Sequence, residues 1–452
     1  MRLITLLLFI PSILNSQSST DYNAVAQRIT ATALSENTAI HMLKELTDIG
    51  PRLSGSAQGE LAVQWAEKKM RDLGFDRVWT EPVMVPHWVR GDKEQAFAFP
   101  STQQEQIPLM VTALGGSIAT PPEGLRAQVV EVRSFEELRA LGEKAKGKIV
   151  FFNRPMDRGL MNTFPAYGGA VNQRGSGAIE AAKVGGVAAL VRSMSTSIND
   201  EPHTGGMRYN DTIPKVPGAA ISTLDAERLS ALLKEDPETR VRIVLSCTTL
   251  PDAQSYNVMG EIRGTEFPDE VIVVGGHLDS WDKGQGAHDD AAGCVQSIEA
   301  VRLLKELGLK PKRTIRAVMF ANEENGLRGG RAYAEVVRGN ERHVAAIESD
   351  EGGFAPRGFG IGDSAAYAKL KRWEPAFAYL NADKFRLGGG GADIGPLARK
   401  GVPPIGLVVE THRYFEYHHS HADTFEKVNE RELALGAAAM AALAYVISQE
   451  GL

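Results

Sequence analysis

Apolar positions recur along the chain in three distinct registers. From residue 22 to 73 they fall at helical spacing: Ala39, Met42, Leu43 and Leu46, then Leu61, Val63, Trp65, Ala66 and Met70. A Gly/Pro/Ser-rich turn, GPRLSGS at 50–56, separates these two helical runs. From about 104 to 249 the register changes to short β runs at 128–132, 148–152, 188–192 and 241–246, with one helix-like stretch at 177–184. Gly and Pro punctuate this segment heavily, which predicts an inserted β-rich domain. From Ser255 onward strand alternates with helix. The continuous apolar run 271–275 predicts a strand buried on both faces. Val295, Ile298, Val301 and Leu304 then repeat at helix spacing, followed by a strand at 314–321, a helix at 329–338, and strands at 344–349 and 406–409. Successive βαβ units predict an α/β fold: an open, mostly parallel sheet with helices on both faces. Such sheets bind ligands beyond the C-terminal ends of their strands.

Length and composition narrow this picture. A chain of 452 residues, at roughly 100–200 residues per domain, predicts two or three domains. A formal net charge of −6 gives no footprint for a nucleic-acid partner. The N-terminus places Arg2 before an apolar run, 3–14, that is too short to span a bilayer and is followed by a polar stretch. It predicts a signal peptide over 1–18, cut near Ser16 or Ser18, and hence a secreted or periplasmic protein. The competing reading is an N-terminal membrane anchor. No other stretch reads as long and apolar enough to span a membrane, so none is expected after signal cleavage. The expected organisation is signal peptide 1–18, an N-terminal part of the catalytic domain 19–103, the insert 104–249, and the remainder of the catalytic domain 250–452. Cys247 and Cys294 do not make a disulfide framework, and two free thiols are expected. A homodimer is compatible with the sequence.

Candidate chemistry follows the strands. The run at 271–275 leads into Gly276-His277-Leu278-Asp279-Ser280 and then Gly286-Ala287-His288-Asp289-Asp290. The run at 314–321 leads into Asn322-Glu323-Glu324-Asn325-Gly326, and that at 344–349 into Asp350. Later comes Tyr417-His418-His419-Ser420-His421-Ala422-Asp423-Thr424. Singly, each has a plain explanation: a polar loop, a solvated acid pair, a satisfied histidine network. Their convergence on one crevice changes that. So many carboxylates repel one another unless cations compensate, and two divalent ions sharing one bridging carboxylate resolve the repulsion. Mixed nitrogen and oxygen donors suit zinc, with cobalt or manganese as substitutes.

The runs GGHLDSWDKGQGAHDDAAG, ANEENG, SDEGG and YHHSHADT together resemble the zinc aminopeptidase and glutamate carboxypeptidase family, over nearly the whole of the expected mature chain. The segment carrying Gly147-Lys148-Ile149-Val150 and Gly185-Gly186-Val187-Ala188-Ala189 resembles a protease-associated domain. The resemblance implies two zinc ions per chain. His277 and Asp350 would hold one, Glu324 and His419 the other, and Asp289 would bridge them. Glu323 would be the general base, and Asp279 would hydrogen-bond His277 and fix its tautomer. His419 is chosen over His418 and His421 because the family's ligand lies four residues before the Asp of its Asp-Thr pair, here Asp423-Thr424. The resemblance also implies a cis Asp289–Asp290 peptide. The implied activity is hydrolysis of dipeptides or short peptides with a free N-terminus. A carboxypeptidase or glutamyl-type hydrolase acting on longer acidic peptides is the rival enzyme. A metal-free receptor is the rival outside enzymes, disfavoured because every ligand and the Glu-Glu pair are present. Asp393 resembles a position near the site wall or a turn residue. Arg174 is a candidate for a substrate carboxylate. Tyr417, His288 and Trp281 read as packing or loop residues.

Overall fold

Capping side chains set where the helices begin. Asp21 accepts the N–H groups of Asn23 and Ala24 ahead of helix Tyr22–Glu36, and Ser56 accepts that of Gly59 ahead of Ala57–Asp72, satisfying donors that have no partner within the helix. With Thr38–Asp48 between them, these helices fill the stretch read as helical, and the 50–56 run makes the turn before the third. The structure, a computed structural model, describes residues 20–102 and 105–452, so the expected signal peptide lies outside the described residues.

Two eight-stranded sheets carry the rest. The first runs in the spatial order Arg77–Val89, Thr248–Ile262, Arg313–Phe320, Phe267–His277, Arg342–Glu348, Pro404–Val409, Pro356–Ile361, Lys384–Leu387. Its four central strands are parallel. Antiparallel pairs enter on both flanks, so the expected parallel sheet holds at the centre and turns mixed toward its edges. The run 271–274 is fully buried because alternate residues face two cores. Ile272 and Val274 share a core with Val295 and Met440, which lie on helices Ala292–Glu306 and Glu430–Glu450. Val271 and Val273 pack instead with Tyr333, on helix Arg328–Glu335.

Helix Glu430–Glu450 corrects one expectation. By length and composition it could cross a membrane, although the sequence reading allowed no such stretch. It is the core helix of this sheet, with Ala437 through Leu443 all buried.

The second sheet runs Ile107–Leu109, Glu94–Phe99, Arg240–Leu245, Leu125–Val132, Ile149–Phe152, Ala188–Arg192, Gly218–Ile221, Val111–Ala113. It begins before the boundary expected at 104, because Glu94–Phe99 pairs along Arg240–Leu245. Nor is this unit only β-rich. Helices Phe135–Leu141, Phe164–Ala170, Asn172–Lys183 and Thr223–Glu235 lie between its strands, and four of the strands are parallel, so it is a second α/β layer. Ser134 and Ser222 cap two of those helices, and the helix-like stretch read at 177–184 lies largely within Asn172–Lys183. The antiparallel ribbon of Arg77–Val89 on Thr248–Ile262 carries the chain out to this unit and back. Cys247 and Cys294 are both buried and free, as expected.

Candidate metal centre

Five side chains converge beyond the C-terminal ends of the central strands. His277 ends strand Phe267–His277. Glu324 follows Arg313–Phe320, Asp350 follows Arg342–Glu348, and His419 follows the short helix Tyr414–Tyr417. His277 Nε2 lies 3.4 Å from Asp289 Oδ1 and 3.4 Å from Asp350 Oδ1. His419 Nε2 lies 3.1 Å from Asp289 Oδ2 and 3.0 Å from Glu324 Oε2. Asp289 therefore offers one oxygen to each histidine. Both His419 and Asn322, beside the site, sit in the left-handed region, with φ of 61° and 62°; such residues persist only where the surroundings over-determine them.

The loop that carries Asp289 is held on several sides. Asp290 accepts the His277 N–H through Oδ2 and the Gly293 N–H through Oδ1, each at 3.0 Å. Gly276 permits that approach, since a Cβ there would stand 2.3 Å from Asp290 Oδ2. The Asp423 carboxylate accepts the His288 and Asp289 N–H groups at 2.8 and 3.2 Å. The Asp289–Asp290 peptide is cis.

The electrostatics of the site follow from its burial and its charges. Burial alone would keep the imidazoles neutral. Asp289 and Asp350 overcome this at His277 and raise its pKa well above the ordinary value. At His419, burial is likewise overcome by Glu324 and Asp289, to about 9. Burial and the Asp289 charge lift Glu324 to about 7. His277 Nε2 and Glu324 Oε1 are buried without a hydrogen-bond partner. A pocket that draws protons onto its histidines and leaves inward-facing donors unpaired fits cations. Two groups of donor atoms, each within 4.8 Å, could hold them: His277, Asp290 and Asp350, and Asp289, His418 and His419. In the first, Asp290 is already engaged by the two amides. In the second, His418 stacks on His419 with ring centroids 3.5 Å apart.

The second α/β layer reaches this centre. Arg174 Nη1 stands 3.5 Å from His419 Nδ1, and its Nη2 donates to Tyr167 Oη at 2.6 Å. Thr204 N–H donates to the His419 carbonyl at 2.9 Å. Gly205, at φ +131°, leaves no room for a side chain: a Cβ would lie 2.5 Å from Arg174 Cζ and 2.7 Å from His419 Nδ1. In return the loop after His277 reaches into the second layer. Trp281 packs in the core containing Trp88 and Ala113, and Asp282 takes a two-pronged ion pair from Arg90 at 2.8 and 2.5 Å.

Comparison with known proteins decides the family. The model of peptidase family M28 matches residues 257–444. Carboxypeptidase Q of Bos taurus is 37% identical over 433 residues, covering 94% of this chain and 89% of its own. The chain belongs to peptidase family M28. As an M28 chain it is a metallopeptidase, a hydrolase of peptide bonds. Carboxypeptidase Q of Homo sapiens is 38% identical over 416 residues, covering 91% of this chain and 86% of its own. The crystal structure of an M28 peptidase precursor from Shewanella amazonensis superposes with a TM-score of 0.89 at 37% identity, covering 94% of this chain and 96% of that one. A zinc aminopeptidase from Bacillus subtilis shares the fold, with a TM-score of 0.65 at 21% identity over 90% of this chain and 93% of its own.

Within this M28 site one residue departs from its expected contact. The Asp279 carboxylate lies 3.8 Å from His277 Nδ1, which faces the Asp279 backbone carbonyl at 2.9 Å instead. The carboxylate accepts Ser54 O–H at 2.8 Å, Glu323 N–H at 3.0 Å and Glu324 N–H at 3.3 Å. The bend after His277 brings the carbonyl to the imidazole and leaves the carboxylate to the amides of the loop after Arg313–Phe320. Burial drives the Glu323 carboxyl well above its ordinary range. His288 is a packing residue, stacked between Phe354 and Tyr417 at 4.2 and 5.4 Å. Asp393 is fully buried with both oxygens unpaired, and its N–H donates to Glu348 Oε1 at 3.3 Å. Ser54, Thr204 and Gly205 carried no signal in the sequence, because short polar and glycine residues in loops are ubiquitous.

Proposed function

We propose that this M28 peptidase is a two-zinc exopeptidase that hydrolyses dipeptides or short peptides with a free N-terminus. The observation that carries the reading is the division of Asp289: one oxygen toward His277 and Asp350, the other toward His419 and Glu324. His277 and Asp350 would hold one ion, His419 and Glu324 the other, with Asp289 bridging. The buried, unpaired His277 Nε2 and Glu324 Oε1 support this set, and its mixed nitrogen and oxygen donors suit zinc. Zinc bound there would lower the pKa of a water and polarise the scissile carbonyl.

The chain's own residues supply the remainder. Glu323 adjoins ligand Glu324 and takes the proton of the attacking water, then passes it to the leaving amine. Asp279 holds the backbone of both glutamates, so base and ligand keep a fixed relation. Arg174, buried beside His419, is the cation offered to a substrate carboxylate, which favours small substrates with both termini free. The insert is read as a protease-associated domain that shapes this end of the cleft. The apolar run behind Arg2 supports export through a signal peptide.

A hydrolysis panel tests the reading: free, N-acetylated and C-amidated dipeptides, and longer peptides, with zinc present. Acetylation is expected to depress turnover most. Equal rates on free and N-acetylated dipeptides would contradict a requirement for the free amine.

A further inference from the structure

Arg52, in the turn between the second and third helices, is fully buried, and among the described residues it donates to no carboxylate. Its hydrogen bonds go to backbone carbonyls: Nε to Leu278 at 2.8 Å, Nη1 to Gln285 at 2.5 Å, Nη2 to Gly286 at 3.0 Å. A longer contact reaches Gly50 at 3.4 Å. Its backbone is engaged too. Arg52 N–H donates to Ser280 Oγ at 3.0 Å, and Ser280 N–H donates to the Arg52 carbonyl at 3.2 Å.

All but Gly50 of these acceptors lie in one span, from Leu278 to Gly286. That span starts immediately after His277 and ends three residues before Asp289. Its ends must lie close together if the two residues are to meet at 3.4 Å. An isolated buried cation is costly, and a guanidinium is the side chain whose planar fork can reach several carbonyls at once. The far side of the same segment is tied by Asp423, whose carbonyl accepts the Gln285 N–H at 2.8 Å and whose carboxylate accepts the N–H groups of His288 and Asp289.

We propose that Arg52 is a positioning residue for the metal centre: its guanidinium clasps both ends of the 278–286 loop and so sets the approach of His277 to Asp289. The proposal rests on the reading of those two residues as zinc ligands. Arg52 acts through the loop, from a turn 226 residues before Leu278 in the chain. A cavity of about 260 Å³ lies beside Arg52, Ser54, Asp279 and Asn322.

The experiment uses the full chain with Arg52→Lys, Arg52→Ala and Ser280→Ala. It measures zinc per chain against a competing chelator, kcat and KM, and hydrogen exchange of the 278–289 amides with and without zinc. The two Arg52 variants are expected to lose zinc affinity and kcat by about 10–100-fold, the usual cost of removing a residue that orients a metal ligand. KM should hold within about threefold, and exchange should quicken at 278–289 before it does elsewhere. Guanidinium ion at millimolar concentration should restore part of the loss in Arg52→Ala, which a general packing defect would not permit. If that variant does not fold, Arg52→Lys and Ser280→Ala decide, with the second expected to show a smaller loss of the same kind. Parental zinc affinity, kcat and exchange in the variants that fold would overturn the proposal. If the parent itself binds no zinc, the zinc reading falls, and exchange at 278–289 alone decides the clasp.

Discussion

Asp279→Ala separates two accounts of this aspartate. If it served His277, its loss would free the imidazole. The structure has the carboxylate accepting the Glu323 and Glu324 amides and the Ser54 hydroxyl, in a position only 4% exposed. Truncation leaves two half-buried N–H donors unpaired, at about 1 kcal/mol each, the low end of the cost of an unpaired donor, while the hydroxyl can turn to another acceptor. The expected destabilisation is therefore about 2 kcal/mol. With an unfolding entropy of ~2.1 cal/mol/K per residue, a chain of this length loses roughly 1 °C of Tm per kcal/mol, so Tm should fall by about 2 °C. Activity should suffer more than stability, because the unmoored loop carries Glu323 and Glu324, and a displacement of about 1 Å can cost ~10²-fold. Differential scanning fluorimetry and dipeptide kinetics on the same preparation read both quantities. Tm within a degree of the parent together with kcat within twofold would refute the anchoring of that loop by Asp279.

Four further outcomes are expected. Glu323→Gln should lose about 10²–10⁴-fold in kcat while zinc content stays at the parental value, measured by elemental analysis and steady-state kinetics. Gly205→Ala should cut kcat at least tenfold, by roughly the same argument from ~1 Å displacements, with unchanged circular dichroism, because its Cβ would press on Arg174 and His419; parental kinetics would show that this loop yields freely. Arg90→Met should cost about 3–5 kcal/mol in chemical denaturation by leaving Asp282 without its buried partner. Burial and the Arg316 and Arg338 charges lower His343 to about 4 in the fold, against about 6.5 when unfolded. It is neutral in the fold, so its contribution is full above pH 6.5 and is lost as pH falls from 6.5 toward 4, by at most ~3 kcal/mol; an NMR titration midpoint near 6.5 would contradict this.

The chain's hydrophobic pattern exposed the central strands because they are buried on both faces and read as unbroken apolar runs, such as Val271–Val274. Three of the proposed ligands were legible for a related reason: His277, Glu324 and Asp350 stand within a few residues of the end of such a run, whereas Asp289 and His419 were singled out by the resemblance. Helix Glu430–Glu450 escaped because buried alanines on every side leave no periodic contrast. Strand Glu94–Phe99 was placed outside the insert because pairing with Arg240–Leu245, some 140 residues later, leaves no local mark. The same limit hid the roles of Arg52, Ser54 and Gly205, whose partners lie far along the chain, and it turned the Asp279 carboxylate toward a loop that no spacing rule connects to it.

Metal content and turnover measured in one sample test the central claim most directly. The full chain is purified, dialysed against metal-free buffer, and assayed for zinc per chain alongside hydrolysis of a free dipeptide. A strong chelator is then added, and zinc is restored in steps. The account predicts close to two zinc ions per chain, loss of hydrolysis as they are withdrawn, and recovery as they return. Full turnover in a sample shown by elemental analysis to hold no metal would contradict it.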